Sequence, residues 1–183
     1  MTSHTRLTAQ DLWRMGAGDA RRELVNGEVV EMPPAGGVHG SIVTRLASAM
    51  AQVARANKSG EVLSGDVGFI LRLPYDPERV RAPDIAFLAA HRLPQGRLPE
   101  GFLDGPPDLA VEILSPSDNP IEIQQKVRDY LEAGTRLVWV VAPRAKTITV
   151  YRPDGSARLL REHDTLDGED VLPGLRVPLS EVF

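Results

Sequence analysis

The spacing of apolar and polar positions changes period several times along the chain, and each change predicts an element. From 108 to 114, Leu109, Val111 and Ile113 alternate with Asp108, Ala110, Glu112 and Leu114, and both sets are mostly apolar. That is the pattern of a strand covered on both faces of a sheet. Ser115-Pro116-Ser117-Asp118 ends it, because Pro116 has no N–H to give and Ser and Asp favour turns and caps. The period then becomes helical: Ile123, Val127, Tyr130 and Leu131 share one face of a segment from 120 to 133, and Gly134 supplies the stop. An apolar run at 137–142 predicts another buried strand, and a turn at 143–146 leads to a further one at 147–151.

Upstream, Thr8 predicts the N-cap of a short helix through about Met15, with Asp11 near its positive end and a break at 16–19. Strands at 22–25 and 28–32 flank Asn26-Gly27, a pair suited to a type I′ hairpin turn. After a Pro/Gly loop, a long helix runs from about His39 to Asn57 on a stripe of Ile42, Val43, Leu46, Ala49, Met50 and Val53. Strands follow at 61–64, 66–73 and 82–88, where Pro83 suits a strand start. The segment 74–81 reads as a polar loop and 89–106 as an irregular one with a short turn. Short strands at 158–160, 170–172 and 175–177, joined by Asp-Gly and Pro-Gly turns, complete the chain. The pattern predicts a single domain over 1–183, α/β in class, with a central mixed sheet flanked by helices and an N-terminal hairpin.

Composition narrows the chemistry. The 183 residues are 42% hydrophobic and 25% charged, an ordinary globular balance. Zero cysteines exclude disulfides, thiolate metal sites and cysteine nucleophiles. The chain shows no apolar run of membrane-spanning length, and its first residues lack a signal peptide's apolar region, so a cytoplasmic protein without a membrane partner is expected. A net charge of −4 gives no global pull toward nucleic acid, so any such partner has to be held locally.

Glu112 is the anomaly in this picture, since an ionised carboxylate is almost never fully buried unless paired or bound to a metal. It stands at the C-terminal end of a strand just before a helix, where open α/β sheets place their ligands. Asp84 opens a second strand, and Lys126 lies at the edge of the buried stripe of the helix after Glu112. Two carboxylates on neighbouring strands, with water completing the shell, are what a hard cation such as Mg²⁺ uses. An ammonium beside them can orient water or stabilise charge developing on phosphorus. Taken singly, each residue has a plainer reading. Glu23 is then a solvated strand charge, His39 a capping or packing residue, and Asp84 a strand start. Glu112 pairs with a buried arginine, and Lys126 makes an i,i+4 bond to Glu122 worth ~0.2–0.5 kcal/mol.

Pro83-Asp84, then Asp108-Leu-Ala-Val-Glu112-Ile-Leu-Ser-Pro-Ser117, Lys126-Val-Arg-Asp-Tyr130-Leu-Glu-Ala-Gly134 and Val138-Trp-Val-Val form a series. This series resembles the Uma-type restriction endonuclease family, a PD-(D/E)XK nuclease-like group. Glu23-Leu-Val-Asn-Gly-Glu28 and the His39-Gly40 helix start extend the likeness, so the nuclease core would span about 20–152. The resemblance implies a restriction-endonuclease-like fold and Mg²⁺-dependent hydrolysis of phosphodiester bonds in DNA, with Mn²⁺ able to substitute. Asp84 and Glu112 would be the metal ligands, Lys126 the catalytic amine, and Glu23 and His39 helpers. One position departs from the general nuclease pattern: Leu114 stands two residues after Glu112, where a lysine is expected. Arg21, Arg22, Arg72, Arg79, Arg81, Arg92 and Arg97 are candidates for phosphate contacts, and cleavage of both strands would call for a homodimer. The alternatives are a non-catalytic module of the same fold that binds nucleic acid or a protein partner, and a phosphoesterase of small molecules.

Overall fold

A computed structural model describes residues 6–16 and 21–183. The predicted break at 16–19 lies mostly outside those residues, as do residues 1–5. In chain order the elements are α1 (Ala9–Arg14), β1 (Arg21–Val25), β2 (Glu28–Met32), α2 (Gly37–Asn57), β3 (Gly60–Ser64) and β4 (Phe69–Ile70). Then come β5 (Val80–Arg81), β6 (Ile85–Ala89), β7 (Leu103–Asp104), β8 (Leu109–Ile113), α3 (Pro120–Ala133) and β9 (Leu137–Ala142). The chain ends with β10 (Thr147–Tyr151), β11 (Ala157–Arg161), β12 (Thr165–Asp167) and β13 (Arg176–Pro178).

Local signals account for the helix and hairpin ends. The Thr8 hydroxyl accepts from the Asp11 N–H at 3.2 Å while the Asp11 carboxylate accepts from the Thr8 N–H at 3.0 Å, a reciprocal cap on α1. Asn26 (φ 54°) and Gly27 (φ 78°) both take the left-handed conformation that a type I′ turn requires. The Asn119 side chain caps α3 by accepting from the Ile121 N–H at 2.9 Å, and Gly134 (φ 107°) ends that helix.

The central sheet runs in the order β11-β10-β9-β8-β6-β3. It is mixed, because β8 and β9 are parallel while the other pairs are antiparallel. The α3 crossover between β8 and β9 makes that parallel pairing possible. One face buries Phe87, Val111 and Trp139 against Ile42, Leu46 and Met50 of α2 and against the C-terminal Leu172, Leu179 and Val182. The other buries Ala86, Ala110 and Val138 against Ile123, Val127 and Tyr130 of α3, together with Phe69, Leu71 and Leu73. This is the two-sided cover that the alternation at 108–114 predicts. The hairpin joins a second sheet of order β2-β1-β5-β4-β7, and β12 pairs with β13 alone. No described helix is long and apolar enough to cross a membrane.

Four expectations need correction. The strand expected at 66–73 shortens to β4, because Asp66 (φ 65°) and Arg72 (φ 53°) turn left-handed on either side of it. The polar loop at 74–81 contains β5, whose Leu24–Val80 pairing ties it to the hairpin. The segment 89–106 holds two short 3-10 turns and β7. In the C-terminal part, 170–172 is a turn and not a strand, and the partner of β13 is β12.

Candidate active site

Strand register brings the two predicted acids together. β6 and β8 pair Ile85 with Val111 and Ala86 with Ala110, so one step further sets Asp84 opposite Glu112. Both project on the row that faces α3, where directly opposed residues lie about 4.5–5.5 Å apart at Cβ. Asp84 is 4% exposed and Glu112 3%. They line a common cavity of about 90 Å³ with Arg21, His39 and Lys126.

Asp84 is held from three sides. Arg21 Nη1 donates to its Oδ1 at 2.7 Å, the Ile113 N–H donates to Oδ2 at 2.6 Å, and His39 Nε2 lies 3.2 Å from Oδ2. Burial alone would raise the Asp84 pKa, but His39, Arg21 and the Ile113 N–H outweigh it and keep the carboxylate ionised below its usual range. The hydrogen bond to Asp84 in turn raises His39 above its ordinary value.

Glu112 has no arginine partner among the described residues. Tyr130 donates its hydroxyl to Oε1 at 2.8 Å, and Lys126 Nζ donates to Oε2 at 3.2 Å. Its pKa moves up, first because it is buried and then because Asp84 and Glu23 repel its charge. Lys126 also holds its proton more tightly than usual: burial works against the charge, but Glu112 and Glu23 more than offset it.

The lysine is placed by a buried network that the sequence did not reveal. Lys126 Nζ lies 3.0 Å from Glu23 Oε1, and Glu23 Oε2 accepts from Arg81 Nη1 at 2.6 Å. Arg81 Nε donates to Asp129 at 2.8 Å, Arg79 Nη1 reaches the same carboxylate at 2.8 Å, and Arg79 Nε donates to Asp76 at 2.8 Å. Asp76 closes on the hairpin turn by accepting from the Asn26 N–H at 2.7 Å. Glu23 is therefore no solvated strand charge, Lys126 bonds to Glu112 and not to Glu122, and Arg79 and Arg81 are buried structural cations rather than phosphate contacts. One signal was present: Lys126, Asp129 and Tyr130 fall at i, i+3 and i+4 on one helix face.

Burial tends to raise Glu23, yet Lys126 and Arg81 together hold its pKa below the usual carboxylate range. A depressed carboxylate adds stability that is present above its unfolded pKa of about 4.3 and is lost as pH falls through the folded value. Glu23→Gln is therefore expected to be less stable than wild type near neutral pH, with the gap shrinking as pH falls to about 3. Urea midpoints measured across that range in chelator test this, and a gap independent of pH would refute it.

Asp84 and Glu112 are the acids of the cavity that could hold a divalent cation. Within the network the buried carboxylates of Glu23, Asp76, Asp84, Glu112 and Asp129 face four permanent cations, Arg21, Arg79, Arg81 and Lys126, and Arg21 also meets the exposed Asp66 at 2.6 Å. The buried acids outnumber those cations by one, which a proton on His39 or Glu112 or a bound ion would balance. Among the described residues no three of His, Cys, Asp and Glu converge as a metal cluster, and a cation here would take Asp84 and Glu112 as its protein ligands in exchange for bonds their oxygens now make to Arg21 and Lys126. That is a donor set for Mg²⁺, which keeps several waters and takes one or two carboxylates. A cavity of 90 Å³ has room for them, at about 10–15 Å³ per water.

The comparisons bear on the fold and the family. A solved structure titled a putative nuclease belonging to DUF820, from Anabaena variabilis ATCC 29413, superposes with a TM-score of 0.85 at 20% identity, covering 97% of each chain. At that identity the likeness establishes the fold. The search of curated proteins finds no match. The Uma2 family, described as "Putative restriction endonuclease", matches residues 9–180. This chain therefore belongs to the Uma2 family.

Proposed function

We propose that the protein is a divalent-metal-dependent endonuclease that hydrolyses phosphodiester bonds in DNA. The observation that carries this reading is the opposition of Asp84 and Glu112 across two strands, with an ammonium 3.2 Å from the second acid. Asp84 and Glu112 would hold Mg²⁺ or Mn²⁺, which supplies Lewis acidity toward a phosphoryl oxygen and makes bound water more acidic. Arg21 and His39 keep Asp84 ionised and fixed, and Tyr130 fixes the other oxygen of Glu112. Lys126, charged and directed by Glu23, stabilises negative charge gathering on the phosphate. Glu23 acts through Lys126 and is a positioning residue. Nicking one strand needs one such site; severing both strands together would call for two, and hence a homodimer.

Metal binding tests the reading directly. Mg²⁺ or Mn²⁺ at about 100 times its Kd should stabilise the wild type by about 2.7 kcal/mol, and Asp84→Asn should abolish the thermal shift. The same wild-type preparation should cleave single-stranded or plasmid DNA with Mn²⁺ and stop when a chelator is added. A wild type that shows neither shift nor metal-dependent cleavage of either DNA would overturn it.

A further inference from the structure

A groove of about 780 Å³ runs up to the acidic centre from the α1 side. It shares Arg21, Pro33, Ala35, His39 and Asp84 with the active cavity, so the two are one continuous depression. Its far wall is aromatic. Trp13 is 49% exposed, and its ring meets Phe102 edge-on with centroids 5.3 Å apart and planes 75° from each other. Phe102 is itself seated on bare backbone: a Cβ on Gly68 would lie 2.4 Å from the ring. A large indole is thus steadied in place with half its surface open, at the entrance to a nuclease centre.

The charges nearby offer little grip on a duplex. Of the two arginines that line the groove, Arg22 is paired with Glu31 at 2.8 Å and Arg21 with Asp66 at 2.6 Å and Asp84 at 2.7 Å, and the chain carries a net charge of −4. Binding of double-stranded DNA draws mainly on phosphate neutralisation, whereas single strands also bind by stacking exposed bases on aromatic rings. Asp84 lines the inner end of the groove, and Glu112 lies in the narrower cavity beyond it. In a duplex both faces of each base are already stacked.

We infer that this groove seats an unpaired base against Trp13 and that the substrate is single-stranded DNA. The inference rests on the nuclease reading for the role of the acids, but its test does not require cleavage. In chelator, a fluorescently labelled thymidine oligonucleotide of about a dozen residues should bind more tightly than the corresponding duplex and quench tryptophan emission. Because the chain's other tryptophan, Trp139, is fully buried, that quenching reports on Trp13. Trp13→Ala should weaken single-strand binding by about 5- to 100-fold, while Trp13→Phe, which keeps a ring against Phe102, stays within a few-fold of wild type. The salt dependence should be shallow, as one or two phosphate contacts would give. Duplex bound as tightly as single strands, or Trp13→Ala binding like wild type, would overturn the inference. A protein that binds single strands through Trp13 yet cuts none supports the groove and sinks only the nuclease reading. Cleavage of duplex and single strand at equal rates, unchanged by Trp13→Ala, sinks only the groove.

Discussion

Asp129→Ala should destabilise the protein by about 3–5 kcal/mol, which for a chain of this size lowers Tm by about 6–20 °C. The carboxylate is fully buried and accepts from Arg79, Arg81 and Gln125 at 2.8 Å each. Removing it leaves two guanidinium groups, 2% and 5% exposed, with half their compensation gone. Each retains one acid, Arg79 with Asp76 and Arg81 with Glu23, so the fold should survive while losing stability. Asp129→Asn preserves shape and part of the hydrogen bonding, and should fall between the two. Urea and thermal unfolding read the effect, and a loss below about 1 kcal/mol, the range of exposed pairs, would show that the buried network contributes little. The same substitution should slow catalysis more than stability alone explains, because Arg81 anchors Glu23 and Glu23 directs Lys126.

Most of the frame was legible from local chemistry. The turn at Asn26-Gly27, the α3 bounds set by Asn119, Pro120 and Gly134, and the buried run at 137–142 are decided by residues adjacent in sequence. The mismatch of Glu122 spacing against Glu112 contact shows the limit. Lys126 could have bonded to either, and only the packing of α3 over β8 selects Glu112. Glu23 shows it more sharply: as one acid in an alternating strand it reads as solvated, because its partners Arg81 and Lys126 are remote in sequence. β4 and β5 hold two residues each, too short for any period to register, and they exist through pairing with each other and with the hairpin. What the sequence did mark was the anomaly itself, a carboxylate in a strand otherwise apolar on both faces. Burial without an arginine, beside the charges of Asp84 and Glu23, is what gives Glu112 a raised pKa.

The position of the lysine can be tested by moving it. Glu112→Gln keeps the shape of the side chain but removes its charge, and is expected to reduce DNA cleavage by about 10³-fold or more, the several kcal/mol a metal contributes to such a transition state. Lys126→Met, close in length and apolar, should cost about 10²–10³-fold. It should also push the Glu112 pKa higher, since the attraction of Lys126 is the largest influence opposing that rise. The metal requirement would then move to higher pH. Leu114 shares the face of Glu112, being two residues further along the strand, and is only partly buried. Its N–H still bonds to Val141 O at 2.9 Å, so the strand geometry persists there. Leu114→Lys in the Lys126→Met background should therefore bring an amine back to the same side of the acid and recover at least about 10-fold of the lost rate. Recovery would mean that the ammonium matters and the element carrying it does not. No recovery in a protein that folds and binds metal would mean that the hold of Glu23 and Arg81 on the lysine is itself required. Wild-type cleavage by Lys126→Met alone would remove the lysine from the reaction.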